Sequence, residues 1–149
     1  MFVNWIEPEL YNKIKELMPI PCVDLLVHQG KSILLLKRVN EPAKGLWFSA
    51  GGRILKGELL KEAVHRKAIQ ELGTDVIIEK QVKTYDFLWR LANGEIAHTP
   101  TTYFVVSLYE NYIKLDSQHS CFKWVTNVEG LHPFLVRAIE DSGILGDDE

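Results

Sequence analysis

The feature that most constrains this chain is a helical segment over residues 58–72 with an acidic residue at the edge of its apolar face. At about 100° of turn per residue, the segment places one continuous apolar stripe towards a core. That stripe consists of Leu60, Val64, Ala68 and Leu72. Glu71 falls at the edge of the stripe and in the last turn, where the helix dipole disfavours negative charge. A carboxylate buried there needs a compensating cation.

Two kinds of cation could compensate Glu71. Lys67, four residues earlier, could form an ordinary ion pair, and helix geometry alone favours that interpretation. The alternative is a metal ion. Gly51-Gly52 follows a strand-like run and precedes the helix, and a glycine turn exposes backbone carbonyls to a ligand. Carbonyl and carboxylate oxygens are the donors that Mg²⁺ or Mn²⁺ prefers, so the combination favours a metal site.

Strands are predicted on both sides of the central helix. Helical spacing also predicts helices over 8–18 and 131–143, the second followed by an acidic tail. Strand-like runs cover 22–28, 32–39, 75–79, 83–90, 101–109 and 121–125, with turns at Gly30 and Asn93-Gly94. Because the chain shows no repeat or linker, we expect one domain over 1–149, a mixed-sheet α/β sandwich.

Composition restricts the possible partners. A net charge of −3 argues against the basic field that recruits nucleic acid, so cations or a metal must hold an anionic ligand locally. No signal-like start and no long apolar run is present, which predicts a cytoplasmic protein with no membrane partner. The two cysteines, Cys22 and Cys121, lie in strand-like runs and are expected to be reduced core residues.

The segment GGRILKGELLKEAVHRKAIQELG, residues 51–73, resembles the Nudix box. That box reads Gly, five residues, Glu, seven residues, then Arg-Glu-apolar-any-Glu-Glu-any-Gly. The matching positions are Gly52, Glu58, Arg66, Glu71 and Gly73. The resemblance implies an α/β/α sandwich (α+β) with a mixed central sheet. It also implies metal-dependent hydrolysis of a small nucleoside-diphosphate derivative, with Mg²⁺ or Mn²⁺ as cofactor.

Two departures from the box narrow the resemblance to one branch. Lys67 and Gln70 stand where the family usually has carboxylates, so Glu71 alone remains of the acidic cluster. The branch of GDP-mannose mannosyl hydrolases lacks the same carboxylates and carries a late Gln-His pair, which Gln118-His119 resembles. The resemblance implies attack at the anomeric carbon of a nucleotide sugar and release of a nucleoside diphosphate.

The same resemblance implies roles for individual residues. The carbonyl of Gly51, Glu71 and Gln118 would hold the metal, and His119 would be the general base for water. Further catalytic or substrate-binding side chains would be Asp24, Arg38, Arg53 and Arg66. Arg53, next to the glycine pair, is the best phosphate ligand because guanidinium binds phosphate oxygens in bidentate fashion.

Each of these residues also has a simpler interpretation. His119 could be a solvated loop histidine, and Asp24 could pair with Arg38 on the neighbouring strand. Arg66 could pair with Glu62, four residues earlier, and order the adjoining loop.

Three functions therefore remain open. The first is hydrolysis of a nucleotide sugar, with GDP-mannose the best single guess. The second is conventional Nudix pyrophosphohydrolysis with a reduced metal set. The third is a catalytically degenerate nucleotide-binding module, which the loss of carboxylates at Lys67 and Gln70 motivates. By analogy with the family, a homodimer is expected.

Overall fold

The computed structural model describes residues 5–41, 43–117 and 119–146 of the 149-residue chain. The helices are α1 (Pro8–Leu17), α2 (Leu60–Leu72) and α3 (Pro133–Ser142). The strands are β1 (Cys22–Gln29), β2 (Ser32–Arg38), β3 (Trp47–Phe48), β4 (Ala50–Arg53), β5 (Val76–Arg90), β6 (Ile96–Leu108) and β7 (His119–Val125).

A mixed sheet runs through the middle of the molecule. Its main order is β3-β2-β1-β6-β5, with β4 paired to β1 and β7 paired to β2. β1 and β6 pair in parallel, whereas the other pairings are antiparallel. β1 and β2 form the expected hairpin around Gly30, with His28 opposite Ile33.

The sheet separates two apolar cores, one under α2 and one under α3. Side chains alternate between the two faces of a strand, so β2 sends Leu34 and Leu36 towards α2 and Ile33 and Leu35 towards α3. Helices therefore cover both faces of a mixed sheet. The predicted α/β/α sandwich is confirmed.

The central helix is shorter than predicted and starts at Leu60 rather than residue 58. Val64, Ala68 and Leu72 are fully buried, and the partly buried Leu60 packs beside them, so the apolar stripe is confirmed. The helix ends where Gly73 adopts the left-handed conformation, with φ of 72°, and its amide donates to the carbonyl of Ile69.

The strands predicted over 75–79 and 83–90 are one strand, β5. Register shifts between Ile78 and Lys80 and between Gln81 and Thr84 interrupt the alternation, which explains the apparent break in the sequence pattern. β6 begins at Ile96, earlier than predicted, and the turn at Asn93-Gly94 joins the two strands.

Both cysteines are free thiols. Cys22 is partly buried, but Cys121 is exposed, so the prediction that it belongs to the core is wrong. Its strand, β7, is exposed at four consecutive residues, 120–123. In the described part of the chain, no helix is long and apolar enough to cross a membrane.

Candidate active site

Glu71 is completely buried between α2 and the glycine turn of β4. Its side chain is 0% exposed, and Oε1 accepts a hydrogen bond of 2.9 Å from the backbone amide of Gly51. A Cβ at Gly51 would collide with the carboxylate of Asp24, so only glycine permits this approach of β4 to β1. The glycine turn and the inward acid, which are distant in sequence, therefore form one site.

Lys67 compensates the charge of Glu71, as the spacing on α2 predicts. Its Nζ lies 2.8 Å from Glu71 Oε2 and 3.3 Å from Gln70 Oε1. Oε2 nevertheless lacks a partner with hydrogen-bond geometry among the described residues, so its contact with Lys67 is ionic rather than directed. A Cβ at Gly52 would lie only 2.7 Å from Lys67 Cε, so the second glycine makes room for the lysine.

His119 begins β7, and its side chain is buried. Its Nδ1 lies 2.8 Å from Asp116 Oδ1, while Nε2 is buried without a hydrogen-bond partner among the residues that the structure describes. An ionised carboxylate only accepts, so the neutral ring carries its hydrogen on Nδ1 and leaves a lone pair on Nε2. The interpretation of His119 as a solvated loop residue is wrong. In the antiparallel register of β2 and β7, His119 lies opposite Arg38, and this strand pairing places its side chain in the interior.

Glu71, Asp116 and His119 converge on a position suited to a cation. Each offers one oxygen or nitrogen atom, and the three atoms lie within 4.8 Å of one another. Glu71 Oε2 is buried without a hydrogen-bond partner among the described residues, and a bound ion would give this oxygen a partner. Carboxylate oxygens are the donors that Mn²⁺ and Mg²⁺ prefer, so Glu71 and Asp116 fit a divalent metal. Gln118, predicted as a ligand, lies outside the described residues.

Asp116 was not among the predicted site residues. The only signal in the sequence is its position three residues before His119, and an acid at that spacing in an irregular segment has many possible orientations. The fold decides its role, since the start of β7 turns the imidazole towards Asp116.

A cleft of about 480 Å³ opens beside the buried cluster. This volume is within the range of small-molecule sites, about 300–1,000 Å³. Its wall includes the predicted residues Asp24, Arg38, Gly51, Arg53 and Arg66. Lys67 also lines the cleft and touches Glu71, whereas Glu71 and His119 themselves do not line it. In this structure Lys67 thus separates the cleft from Glu71.

Asp24 ends a buried chain of hydrogen bonds. Ser49 Oγ donates to Asp24 Oδ2 at 2.9 Å and lies 2.9 Å from the hydroxyl of Tyr103. Burial raises the pKa of Asp24 to about 7, although the bonds from Ser49 and Tyr103 oppose that rise. The charge of Arg38 makes only the smallest contribution to this pKa, and the contact that Asp24 forms at 2.9 Å is with Ser49 rather than with the predicted partner Arg38.

Arg66 holds the loop that precedes α2. Its guanidinium bonds both carboxylate oxygens of Glu58, at 2.7 and 3.0 Å, and the carbonyl of Arg53 at 2.8 Å. Glu58 also accepts from the amide of Leu55. The predicted pairing of Arg66 with Glu62 is wrong, because Glu62 instead accepts from the amide of Leu59 at the helix start. The proposed loop-ordering role of Arg66 agrees with these contacts, and a substrate contact stays a prediction.

Comparison with known families decides the classification. The NUDIX domain model matches residues 18–138, which is most of the chain. The protein belongs to the Nudix family. The match includes α2, the glycine turn and both residues of the Asp116–His119 pair, whereas α1 lies before it.

Two curated relatives show similarity of different extent. The low-salt glycan biosynthesis protein Agl8 of Haloferax volcanii is 37% identical over 127 residues, covering 83% of this chain and 81% of the relative. The ADP-ribose pyrophosphatase of Methanocaldococcus jannaschii is 40% identical over 57 residues, or 38% of this chain and 34% of the relative.

Solved structures share the fold. The MutT NUDIX hydrolase from Burkholderia pseudomallei aligns with a TM-score of 0.69 at 23% identity, covering 83% of this chain and 98% of that one. The NUDIX domain of Shewanella oneidensis NrtR, crystallised with ADP ribose, aligns with a TM-score of 0.66 at 22% identity, covering 93% and 92%. Identities this low support the common fold alone.

The Nudix box of this chain has a distinct electrostatic character. Lys67 and Gln70 stand at two carboxylate positions of the box. The Lys67 ammonium contacts both the side-chain oxygen of Gln70 and the carboxylate of Glu71, the acid that remains. One ammonium therefore occupies space that acidic side chains fill in the usual box. Any second cation in the box would have to approach this positive charge.

Proposed function

We propose that this Nudix protein hydrolyses a nucleotide sugar at the anomeric carbon and releases a nucleoside diphosphate. The observation that carries the proposal is the buried His119, whose Nε2 has no partner in the described chain and whose Nδ1 is oriented by Asp116. A single box glutamate with a lysine beside it suits one metal ion better than several.

His119 acts as the general base in this proposal. His119 does not line the cleft in this structure, so the proposal requires Lys67 to move aside when substrate binds. Nε2 then removes a proton from water while the water oxygen bonds to the anomeric carbon. The bond between that carbon and the diphosphate oxygen breaks, and its electron pair stays on the departing nucleoside diphosphate. Asp116 keeps Nε2 free to accept the proton and stabilises the imidazolium that forms.

The departing diphosphate gains negative charge, which the walls of the cleft can balance. Arg38, Arg53 and Lys67 line that cleft and present positive charge. Glu71, with Asp116 or the Gly51 carbonyl, would hold a divalent ion, with Gln118 a further predicted ligand. When bound, such an ion neutralises phosphate charge and makes the diphosphate a better leaving group.

Similarity to proteins of known role supports a nucleotide-derived substrate. The name of the Haloferax relative places that protein in glycan biosynthesis, which agrees with a sugar nucleotide as substrate here. Nucleotide sugars are the activated donors from which glycans are built. The proposal takes GDP-mannose as the first substrate to test.

Phosphorus attack on a nucleoside-diphosphate derivative is the second candidate. The partial match to an ADP-ribose pyrophosphatase favours it, although that match spans only 38% of the chain. It requires Glu71 to support attack at phosphorus without the two carboxylates that Lys67 and Gln70 replace.

Hydrolysis in oxygen-18 water separates the two reactions. Nucleotide sugars and ADP-ribose are incubated with the protein and Mg²⁺ or Mn²⁺, and the masses of the products are measured by mass spectrometry. Label in the released sugar, with unlabelled nucleoside diphosphate, is the expected result. Label in a phosphate would replace the proposal with the second candidate, and binding without turnover of any substrate would favour a binding module.

Replacing Asp116 with asparagine is expected to lower kcat by about 10–100-fold with little change in KM, because loss of a carboxylate that fixes the tautomer and orientation of a histidine costs about this much at metal sites. Nitrogen-15 NMR of the His119 ring should then show mixed tautomers, whereas the wild type carries hydrogen on Nδ1. Asp75→Asn is the matched control. Asp75 Oδ1 lies 2.7 Å from His65 Nδ1, and neither residue lines the cleft. Equal kcat in both variants would remove Asp116 from the mechanism.

A further inference from the structure

α1 contributes to the cleft although it lies outside the matched Nudix segment. The family match starts at residue 18, and α1 ends at Leu17. Two of its side chains, Tyr11 and Lys15, nevertheless line the cleft. The helix has no buried residue, so core packing does not explain why these two side chains point there.

Hydrogen bonds just after α1 hold it beside the glycine turn. The amide of Ile20 donates to the carbonyl of His98 on β6, and the amide of Ile54 donates to the carbonyl of Pro21. Cys22 then pairs with Arg53 in the register of β1 and β4. The segment that leaves α1 is thus tied to strands on both sides, next to Arg53.

Two cations share the ring of Tyr11. Lys15 Nζ lies 5.0 Å from the ring centroid, and Arg53 Cζ lies 5.2 Å from it. Both distances suit cation–π attraction, which holds positive charge without neutralising it. Within residues 5–41, 43–117 and 119–146, neither Lys15 nor Arg53 forms an ion pair with an acid. The cluster therefore brings two positive charges without an ion-pair contact among the described residues to the wall of the cleft.

We propose that α1 completes the anion site: Lys15, together with Arg53 supported by the Tyr11 ring, binds the diphosphate of the substrate. The inference rests on the proposed function, since it names the part of the cleft where the diphosphate lies. Arg53 follows the glycine turn directly, and Lys67 lies beside Gly52 of that turn, so all three cations line the same cleft. The aromatic side chains Phe87 and Trp89 also line the cleft and offer an apolar surface to the uncharged portion of the ligand.

Calorimetric titration of the full chain with GDP and with GMP tests this assignment without turnover. Lys15→Ala is expected to weaken GDP binding by about five- to tenfold, which corresponds to the loss of roughly 1 kcal/mol. The loss should be smaller for GMP, which carries one phosphate fewer. Tyr11→Phe should keep the affinity, because the ring remains, and Tyr11→Leu should weaken it. Lys13→Ala, an exposed lysine of α1 that does not line the cleft, is the matched control.

The outcomes separate this inference from the proposed reaction. Equal GDP affinity of Lys15→Ala and Lys13→Ala, or no binding of GDP by the wild type, would overturn the role of α1. Steady-state kinetics of Lys15→Ala should show a raised KM for whichever nucleotide the protein turns over. If the label enters phosphate while Lys15→Ala still weakens GDP binding, the reaction is wrong and the anion site stands. If carbon attack is found and Lys15→Ala binds GDP as the wild type does, the proposed reaction stands and the role of α1 is wrong.

Discussion

Glu71→Gln is expected to lower nucleotide-sugar turnover by well over a hundredfold, because loss of even an outer partner of a metal ligand costs about 10–100-fold. The amide keeps the size of the side chain but removes the charge that attracts a cation. The substitution also leaves Lys67 buried, with 8% of its side chain exposed, and without its anion. Rates are measured with Mg²⁺ and Mn²⁺ on GDP-mannose and on ADP-ribose.

Thermal unfolding distinguishes loss of metal from loss of fold. Binding at about 100 times Kd stabilises the folded state by about 2.7 kcal/mol. For a domain of this size, that corresponds to a rise in melting temperature of roughly 5–10 °C. We expect Mn²⁺ to raise the melting temperature of the wild type but not that of Glu71→Gln. Glu140→Gln, exposed on α3, should retain both the rise and the activity. A Glu71→Gln variant that keeps wild-type turnover would contradict the proposed metal site.

Lys67→Met is expected to strengthen Mn²⁺ binding by tenfold or more while destabilising the metal-free protein. Methionine keeps much of the side-chain length but removes the ammonium that lies 2.8 Å from Glu71 Oε2. In the wild type, the ammonium of Lys67 would repel a metal ion bound at Glu71 by several kcal/mol, to order of magnitude. Methionine removes this repulsion. Without metal, breaking the buried pair costs about 3–5 kcal/mol, since the carboxylate of Glu71 loses its counterion.

The measurement is Mn²⁺ titration by electron paramagnetic resonance, combined with unfolding in the presence and absence of Mn²⁺. The gain in melting temperature on adding Mn²⁺ should be larger in Lys67→Met than in the wild type. Lys61→Met, an exposed lysine on the same helix, is the control and should change neither quantity. Unchanged or weaker Mn²⁺ binding in Lys67→Met would mean that lysine and metal do not compete for Glu71.

The sequence predicts the site best where the responsible residues lie close together along the chain. The apolar stripe and Glu71 follow from helical spacing within α2, and the ion pair with Lys67 follows from a separation of four residues. Arg66 was assigned to the wrong acid by the same rule. Helical spacing selects Glu62, but the loop folds back and places Glu58 within hydrogen-bond distance of the guanidinium.

Tertiary structure decides what depends on contacts between distant segments. Asp24 and Ser49 are 25 residues apart, and only the antiparallel pairing of β1 with β4 joins them. His119 is buried because β7 pairs with β2, and no local pattern distinguishes such a histidine from a solvated one. The place of Lys15 beside Arg53 likewise depends on how α1 meets the sheet.

The sequence alone thus determined the Nudix box, the layered fold and the charge reversal at Lys67, because each depends on residue types and on their spacing within short segments. Only the tertiary structure showed that Asp116 orients His119 and that Lys67 separates the cleft from Glu71. The physical reason is that burial and hydrogen bonding between strands are properties of the packed sheet. A side chain acquires them from segments that its own neighbours in sequence do not specify.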